Sequence, residues 1–94
     1  SMTIHNLITL DGETATLLSP PNTHSGTDIT IQNVNASGYI YIGSDSVNSD
    51  SYGYRILPNH AISFELDGRD SLYAMSSAPD MDVAVIMVSL ESGE

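Results

Sequence analysis

Cysteine and lysine are both absent from the chain. Without cysteine, no disulfide can stabilise the fold and no thiolate can bind a metal ion. Without lysine, two arginines stand against twelve acidic residues, and the formal net charge is −10. Proteins bind nucleic acids and anionic membrane surfaces through lysine and arginine. We therefore expect no nucleic acid and no membrane as partner, and instead a partner whose surface is neutral or basic.

Long apolar runs are missing as well. No run approaches the roughly 20 apolar residues of a membrane-spanning helix, and no basic segment followed by an apolar one resembles a secretory signal. The sequence thus predicts a soluble, non-secreted protein. Apolar residues also never recur at helical spacing over three turns, so no amphipathic helix is predicted.

Short strand-like runs separated by turn signals make up most of the chain. Apolar and polar residues alternate in residues 28–34, 39–43 and 61–66, as in strands with one buried face. Asp11 and Gly12 form one of the turn signals. The sequence therefore predicts an all-β fold, either a small antiparallel β-sandwich or a jelly-roll-like barrel of seven to eight strands.

Two segments carry more specific expectations. Residues 52–75 contain three apolar runs with turn signals at 57–60 and 67–68, which predicts an antiparallel meander. Residues 81–90 are apolar at eight of ten positions, which predicts a central strand covered on both faces.

A chain of this length forms one domain with a modest core. Residues 1–26 are interpreted as an N-terminal arm with an edge strand and a proline-rich loop, and residues 27–94 as the β-sandwich core. The inward positions of the alternating runs give the predicted core residues, which are Ile29, Ile31, Ile40, Ile42, Ile62, Phe64, Leu72, Val83 and Val85.

Residues able to perform catalysis or bind metal show no strong motif. The three histidines lie far apart in sequence, and none accompanies a nucleophile motif, so we expect no enzyme and no catalytic residues. Two oxygen-rich pairs, Asp45 with Asp50 and Asp80 with Asp82, suit calcium only weakly, because neither belongs to a complete EF-hand loop. We accordingly expect no metal and no cofactor.

Four tyrosines are the candidate interface residues: Tyr39, Tyr41, Tyr52 and Tyr54. Each i, i+2 pair places two rings on one face of a strand, and neighbouring strands would join them into an aromatic patch. Such a patch could cover the second face of a sheet. The alternative is that it binds a protein partner or stacks on sugars.

Several of these segments together resemble a known family. They are residues 29–34, 38–43 (GYIYIG), 52–58 (YGYRILP), 62–64 and 70–74 (DSLYA). This pattern of apolar residues and turns resembles small β-sandwich virion proteins of tailed bacteriophages, particularly capsid decoration proteins and domains of head fibres and tails. The resemblance covers residues 27–90. At Asn59 the family pattern usually has glycine, and asparagine can adopt the same backbone conformation.

The resemblance implies a structural virion protein that is made in the host cytoplasm and binds the exterior of the capsid. It would form a homotrimer, contact the major capsid protein and stabilise the junctions between capsomers. The alternative is a tail or fibre domain that binds a host-surface saccharide through the tyrosine patch.

Overall fold

The computed structural model describes residues 3–19 and 26–89. Within these residues the chain is all-β, as predicted, and no segment forms a helix. The strands are β1 (Thr3–Leu10), β2 (Thr16–Leu17), β3 (Thr27–Asn33), β4 (Ile40–Gly43), β5 (Tyr54–Ile56), β6 (Ala61–Leu66), β7 (Tyr73–Ser76) and β8 (Met81–Ser89). The described part of the chain therefore has no helix that could cross a membrane.

The strands form two antiparallel four-stranded sheets. The first sheet has the order β1-β8-β3-β6, and the second has the order β2-β7-β4-β5. Four of the strand pairs are nested along the chain: β1 with β8, β2 with β7, β3 with β6 and β4 with β5. Rolling that ribbon upon itself adds the pairs β3–β8 and β4–β7. This is jelly-roll topology, one of the two architectures that the sequence predicts.

The core lies between the inner faces of the two sheets. In β3 and β8, alternate residues point inward and are buried, as the period of two requires. Seven of the nine predicted core residues are buried; the other two, Ile62 and Phe64, are partly buried and pack against the core. Both lie in β6, an edge strand, where the sandwich is open on one side. The prediction missed Leu10, Leu18, Ile56, Leu66, Ala74, Met81 and Met87, which also belong to the core cluster.

The predicted meander over residues 52–75 is wrong. Its three strands exist as β5, β6 and β7, but β6 belongs to the first sheet, whereas β5 and β7 flank β4 in the second. The two turns carry the chain from one sheet to the other and do not reverse it within a sheet. Asn59 adopts the positive φ expected for the first turn, 63°, and the N–H of His60 closes that turn on the carbonyl of Leu57.

Strand β8 is central, as predicted, but only its inner face is covered. Met81, Val83, Val85 and Met87 are buried on that face. On the outer face Ile86 is exposed together with Val88. Sequence pattern alone cannot distinguish a strand buried on both faces from one whose outer apolar face remains open.

The N-terminal residues are part of the sandwich. β1 is an edge strand of the first sheet, β2 is an edge strand of the second, and Leu10 and Leu18 enter the core. Gly12 turns the chain between β1 and β2 with φ of +84°, and a Cβ there would lie 2.9 Å from the carbonyl carbon of Ala78. Residues 20–25 of the expected proline-rich loop lie outside the described residues.

Asn33 ties the two sheets together through its buried side chain. Its amide nitrogen donates to the carbonyl oxygens of Ile56 in β5 and of Gly38, each at 3.0 Å. Its amide oxygen accepts from the backbone N–H and the side-chain nitrogen of Asn35, at 3.1 and 2.8 Å. Asn35 in turn exchanges two hydrogen bonds with the backbone of Asp82 in β8. The buried amide of Asn33 is therefore fully hydrogen-bonded, which removes the cost of burying it.

Candidate interaction surfaces

Three of the four candidate tyrosines come together on the outer face of the second sheet. The Tyr41 ring centroid lies 6.4 Å from that of Tyr39 and 4.9 Å from that of Tyr52. Tyr41 is 7% exposed because its neighbours cover it, whereas Tyr52 is 43% exposed. The cluster thus has a buried ring at its centre and exposed rings on both sides.

Arg55 completes this cluster, and the sequence prediction missed it. Arg55 is opposite Tyr41 in the β4–β5 register, so both side chains emerge on the same face. The Arg55 guanidinium carbon lies 4.6 Å from the centroid of the Tyr39 ring, a cation–π contact. We call Tyr39, Tyr41, Tyr52 and Arg55 the tyrosine–arginine cluster. The sequence carries no signal for Arg55 in this role, because its place in the cluster depends on the pairing of β4 with β5.

Tyr54 does not belong to the cluster. It is paired with Ile42, whose side chain points into the core, so Tyr54 also points toward the inner side of its sheet. There it borders a cleft of about 210 Å³ with Ile62 and Phe64, where the two sheets separate at their β5 and β6 edges. The predicted patch assumed that alternation continued from 52 to 54. The bend at Gly53, whose N–H donates to the Ile42 carbonyl, interrupts it.

The outer face of the first sheet carries a second exposed apolar surface. Leu7, Ala84, Ile86 and Val88 lie side by side on it in β1 and β8, and we call them the outer apolar strip. Leu7 is 65% exposed, Ile86 41% and Val88 39%. A depression of about 290 Å³ lies beside the strip, over Ala84. The sequence signal for this surface was the apolar run near the chain's end, which was interpreted as covered.

The two oxygen-rich segments are built differently. Asp45 and Asp50 are exposed in the loop between β4 and β5, where Val47 is buried and a two-residue bridge joins Asn48 to Ser51. In the other segment, Asp82 accepts a 2.7 Å hydrogen bond from the Thr9 hydroxyl. Among residues 3–19 and 26–89, no three histidine, cysteine, aspartate or glutamate side chains gather as a metal site.

The histidines that the structure describes stand apart from one another. His5 lies exposed in β1, and His60 has its Nδ1 2.9 Å from the carbonyl oxygen of Pro58. His24 lies outside the described residues.

One carboxylate has a clearly shifted pKa. The backbone N–H groups of Glu13 and Thr14 donate to Asp11 Oδ1, each at 2.8 Å. These hydrogen bonds stabilise the ionised form and lower the pKa of Asp11 below its ordinary value of 3.8. Asp11 is exposed, and this arrangement stabilises the turn between β1 and β2.

No family model matches the chain, and no curated protein matches it significantly.

Proposed function

We propose that the chain is a structural protein of a tailed-bacteriophage virion that decorates the outside of the head. It would bind the major capsid protein and stabilise contacts between capsomers. The proposal combines the resemblance over residues 27–90 with one structural observation, the tyrosine–arginine cluster on the outer face of the second sheet. Jelly rolls of eight strands are a common architecture of viral capsid proteins.

The composition of the cluster suits a protein interface. Tyrosine and arginine, together with tryptophan, are enriched among the residues that dominate binding energy at such interfaces, where a few anchors are surrounded by contacts that exclude water. The exposed Arg55 guanidinium stacks on the Tyr39 ring. This contact leaves its N–H groups able to donate to the oxygen acceptors that a guanidinium prefers. A carboxylate on the partner could bind it there. In a chain of net charge −10, this is a rare cationic point.

Co-sedimentation with undecorated phage heads tests this function. The unmodified protein should sediment with heads, and Tyr52→Ala or Arg55→Ala should weaken the apparent affinity about tenfold or more, as the loss of an interface anchor does. Tyr54→Ala removes an equally exposed tyrosine outside the cluster and should leave binding nearly unchanged, provided that circular dichroism shows it folded. Failure of the unmodified protein to bind heads would remove the decoration role.

The homotrimer that the resemblance implies stays a prediction. Light scattering after size exclusion decides it: a mass of about three times 10.0 kDa would support the trimer, whereas a mass of about twice 10.0 kDa would exclude it in favour of a dimer.

A second candidate function is a tail or fibre domain that binds a host-surface saccharide. The observation that favours it is the Tyr52 ring, which is exposed and lies beside Tyr41 as an aromatic platform for a sugar would. Arg55 occupies a face of the neighbouring Tyr39 ring, which leaves fewer faces for stacking. Saccharide binding that Tyr52→Ala abolishes, with immunogold labelling at the tail tip, would favour this function over head decoration.

A further inference from the structure

Strand β1, one of the two edges of the first sheet, is long and regular. β1 has eight residues in unbroken antiparallel register with β8. Within the described ranges β1 pairs with β8 alone, so every second residue directs its backbone N–H and C=O away from the sheet. The residues from Thr3 to Leu7 are all exposed. Such an edge is a template for pairing with another strand.

The other described edges carry features that block such pairing, and β1 carries none. Proteins protect sheet edges by making them short or by placing charges or proline on them. β2 has two residues, and β5 has three, one of which is Arg55. β6 has six residues but contains the exposed acid Glu65 within the strand. β1 contains neither a proline nor an acidic or basic residue other than His5.

We propose that β1 pairs antiparallel with β1 of a second copy of this chain and so forms a continuous eight-stranded sheet across the two subunits. An antiparallel strand is its own complement about a two-fold axis, so one edge supplies both halves of the contact. Charge favours this edge, because each copy carries −10 and two copies repel wherever their carboxylates approach. With the two-fold axis at Leu7 or at Asn6, seven residues of β1 pair across the contact, and no acid lies opposite another acid.

Leu7 is the side chain that we expect to contribute most to the contact. It lies at the middle of β1 and is the most exposed large hydrophobic residue described. A two-fold axis at Leu7 places the two Leu7 side chains next to each other, and an axis at Asn6 places Leu7 opposite His5 of the other copy. In both registers the outer faces of the two sheets stay on one side, and the outer apolar strips lie on either side of the axis.

The pairing should be weak and reversible. A single strand edge with its adjoining side chains buries less than an interface of standard size, and its strength comes largely from backbone hydrogen bonds. Because the two copies repel, salt should favour the dimer, whereas it weakens contacts between opposite charges. This inference concerns the opposite sheet from the tyrosine–arginine cluster and stands or falls independently of head binding.

Mass in solution tests the pairing first. Light scattering across the micromolar range should approach twice 10.0 kDa, and raising the salt from about 0.05 M to about 0.5 M should shift the protein toward the dimer. Leu7→Lys should give a monomer. Ala61→Lys makes the same charge change at the β6 edge and should leave the dimer intact. Ile86→Lys, on the face of the sheet, should also leave it intact; loss of the dimer there would indicate face-to-face packing and overturn edge pairing.

Crosslinking gives an independent test, because the chain has no cysteine of its own. Single variants Leu7→Cys and Asn6→Cys report the two registers, and one of them should form a disulfide-linked dimer under mild oxidation. Ala61→Cys at the β6 edge should not. A monomer at every concentration and salt level, a trimeric mass, or equal crosslinking at position 61 would each overturn the proposal.

Discussion

The two sheets of the jelly roll differ in the length of their strands and in the covering of their outer faces. The first sheet has strands of eight, nine, seven and six residues, whereas those of the second have two, four, four and three. Tyr41 is buried on the outer face of the second sheet, and Val47 is buried in the loop that joins β4 to β5. The outer apolar strip of the first sheet is exposed. Short strands make few ladder hydrogen bonds. The second sheet therefore depends on packing at both of its faces, whereas the first is stabilised by its long ladders of hydrogen bonds and by the core.

The largest expected effect tests this contrast directly, by deleting a side chain from each outer face. Tyr41→Ala should lower the free energy of unfolding by roughly 3–4 kcal/mol, since it removes a large buried ring from the second sheet. Ile86→Ala on the first sheet should cost less than about 1 kcal/mol, because that side chain remains substantially exposed. Urea unfolding measures both values. Equal losses would show that the two outer faces contribute alike to stability and would contradict this difference between the sheets.

An intermediate effect is expected where the two sheets are joined. Asn33→Ala should cost roughly 2–3 kcal/mol, because the carbonyl groups of Ile56 and Gly38 lose their donor in the interior. Gln32→Ala, the exposed neighbour on the outer face, is the matched control and should stay within about 0.5 kcal/mol of the unmodified protein. If Gln32→Ala destabilised the protein as much as Asn33→Ala, the hydrogen bonds of Asn33 between the sheets would not explain the loss of stability.

The smallest effect concerns the turn that leads from the first sheet to the second. The lowered pKa of Asp11 means that its ionised form stabilises the fold; this contribution is present above the ordinary value of 3.8 and is lost as the pH falls through the lowered value. Asp11→Asn, which cannot ionise, should therefore show a thermal midpoint that falls less steeply in acid than that of the unmodified protein.

The control for this measurement is Asp45→Asn, which removes one acidic charge from an exposed loop of the second sheet. Melting curves of the three proteins from neutral pH down to strong acid provide the comparison. A midpoint of Asp11→Asn that parallels the unmodified protein throughout would contradict the role given to the turn.

The sequence predicted the elements of the fold far better than their arrangement. Alternation located β3, β4 and β6, and turn residues such as Asn59 indicated where strands end. The sequence did not predict which strands pair, because a turn that crosses between sheets and a turn that reverses a hairpin use the same residues. Asn33 was likewise seen only as part of a family pattern. Its role depends on Ile56 and Asn35, which the fold alone brings to it.

The candidate surfaces could be predicted in part. The rule of alternate residues joined Tyr39 to Tyr41 correctly, because both belong to or adjoin one regular strand. It failed for Tyr54, because a glycine bend between two tyrosines changes which face each ring occupies. Arg55 could not be assigned from sequence, since its partner across the sheet was unknown until the register of β4 and β5 was known.

The nested pairing of the strands also governs the order in which they can meet during synthesis. Ile42 and Tyr54, in the innermost pair, are 12 positions apart, whereas the outermost pair joins Leu10 to Met81 and Thr3 to Val88, which are 71 and 85 positions apart. Closing a loop of 71 positions costs about 1.6 kcal/mol more in chain entropy than closing one of 12 positions. Of the eight described strands, β1 leaves the ribosome first, and its partner β8 leaves last. While the strands between them are translated, an eight-residue strand without an acidic residue has no partner for its backbone hydrogen bonds.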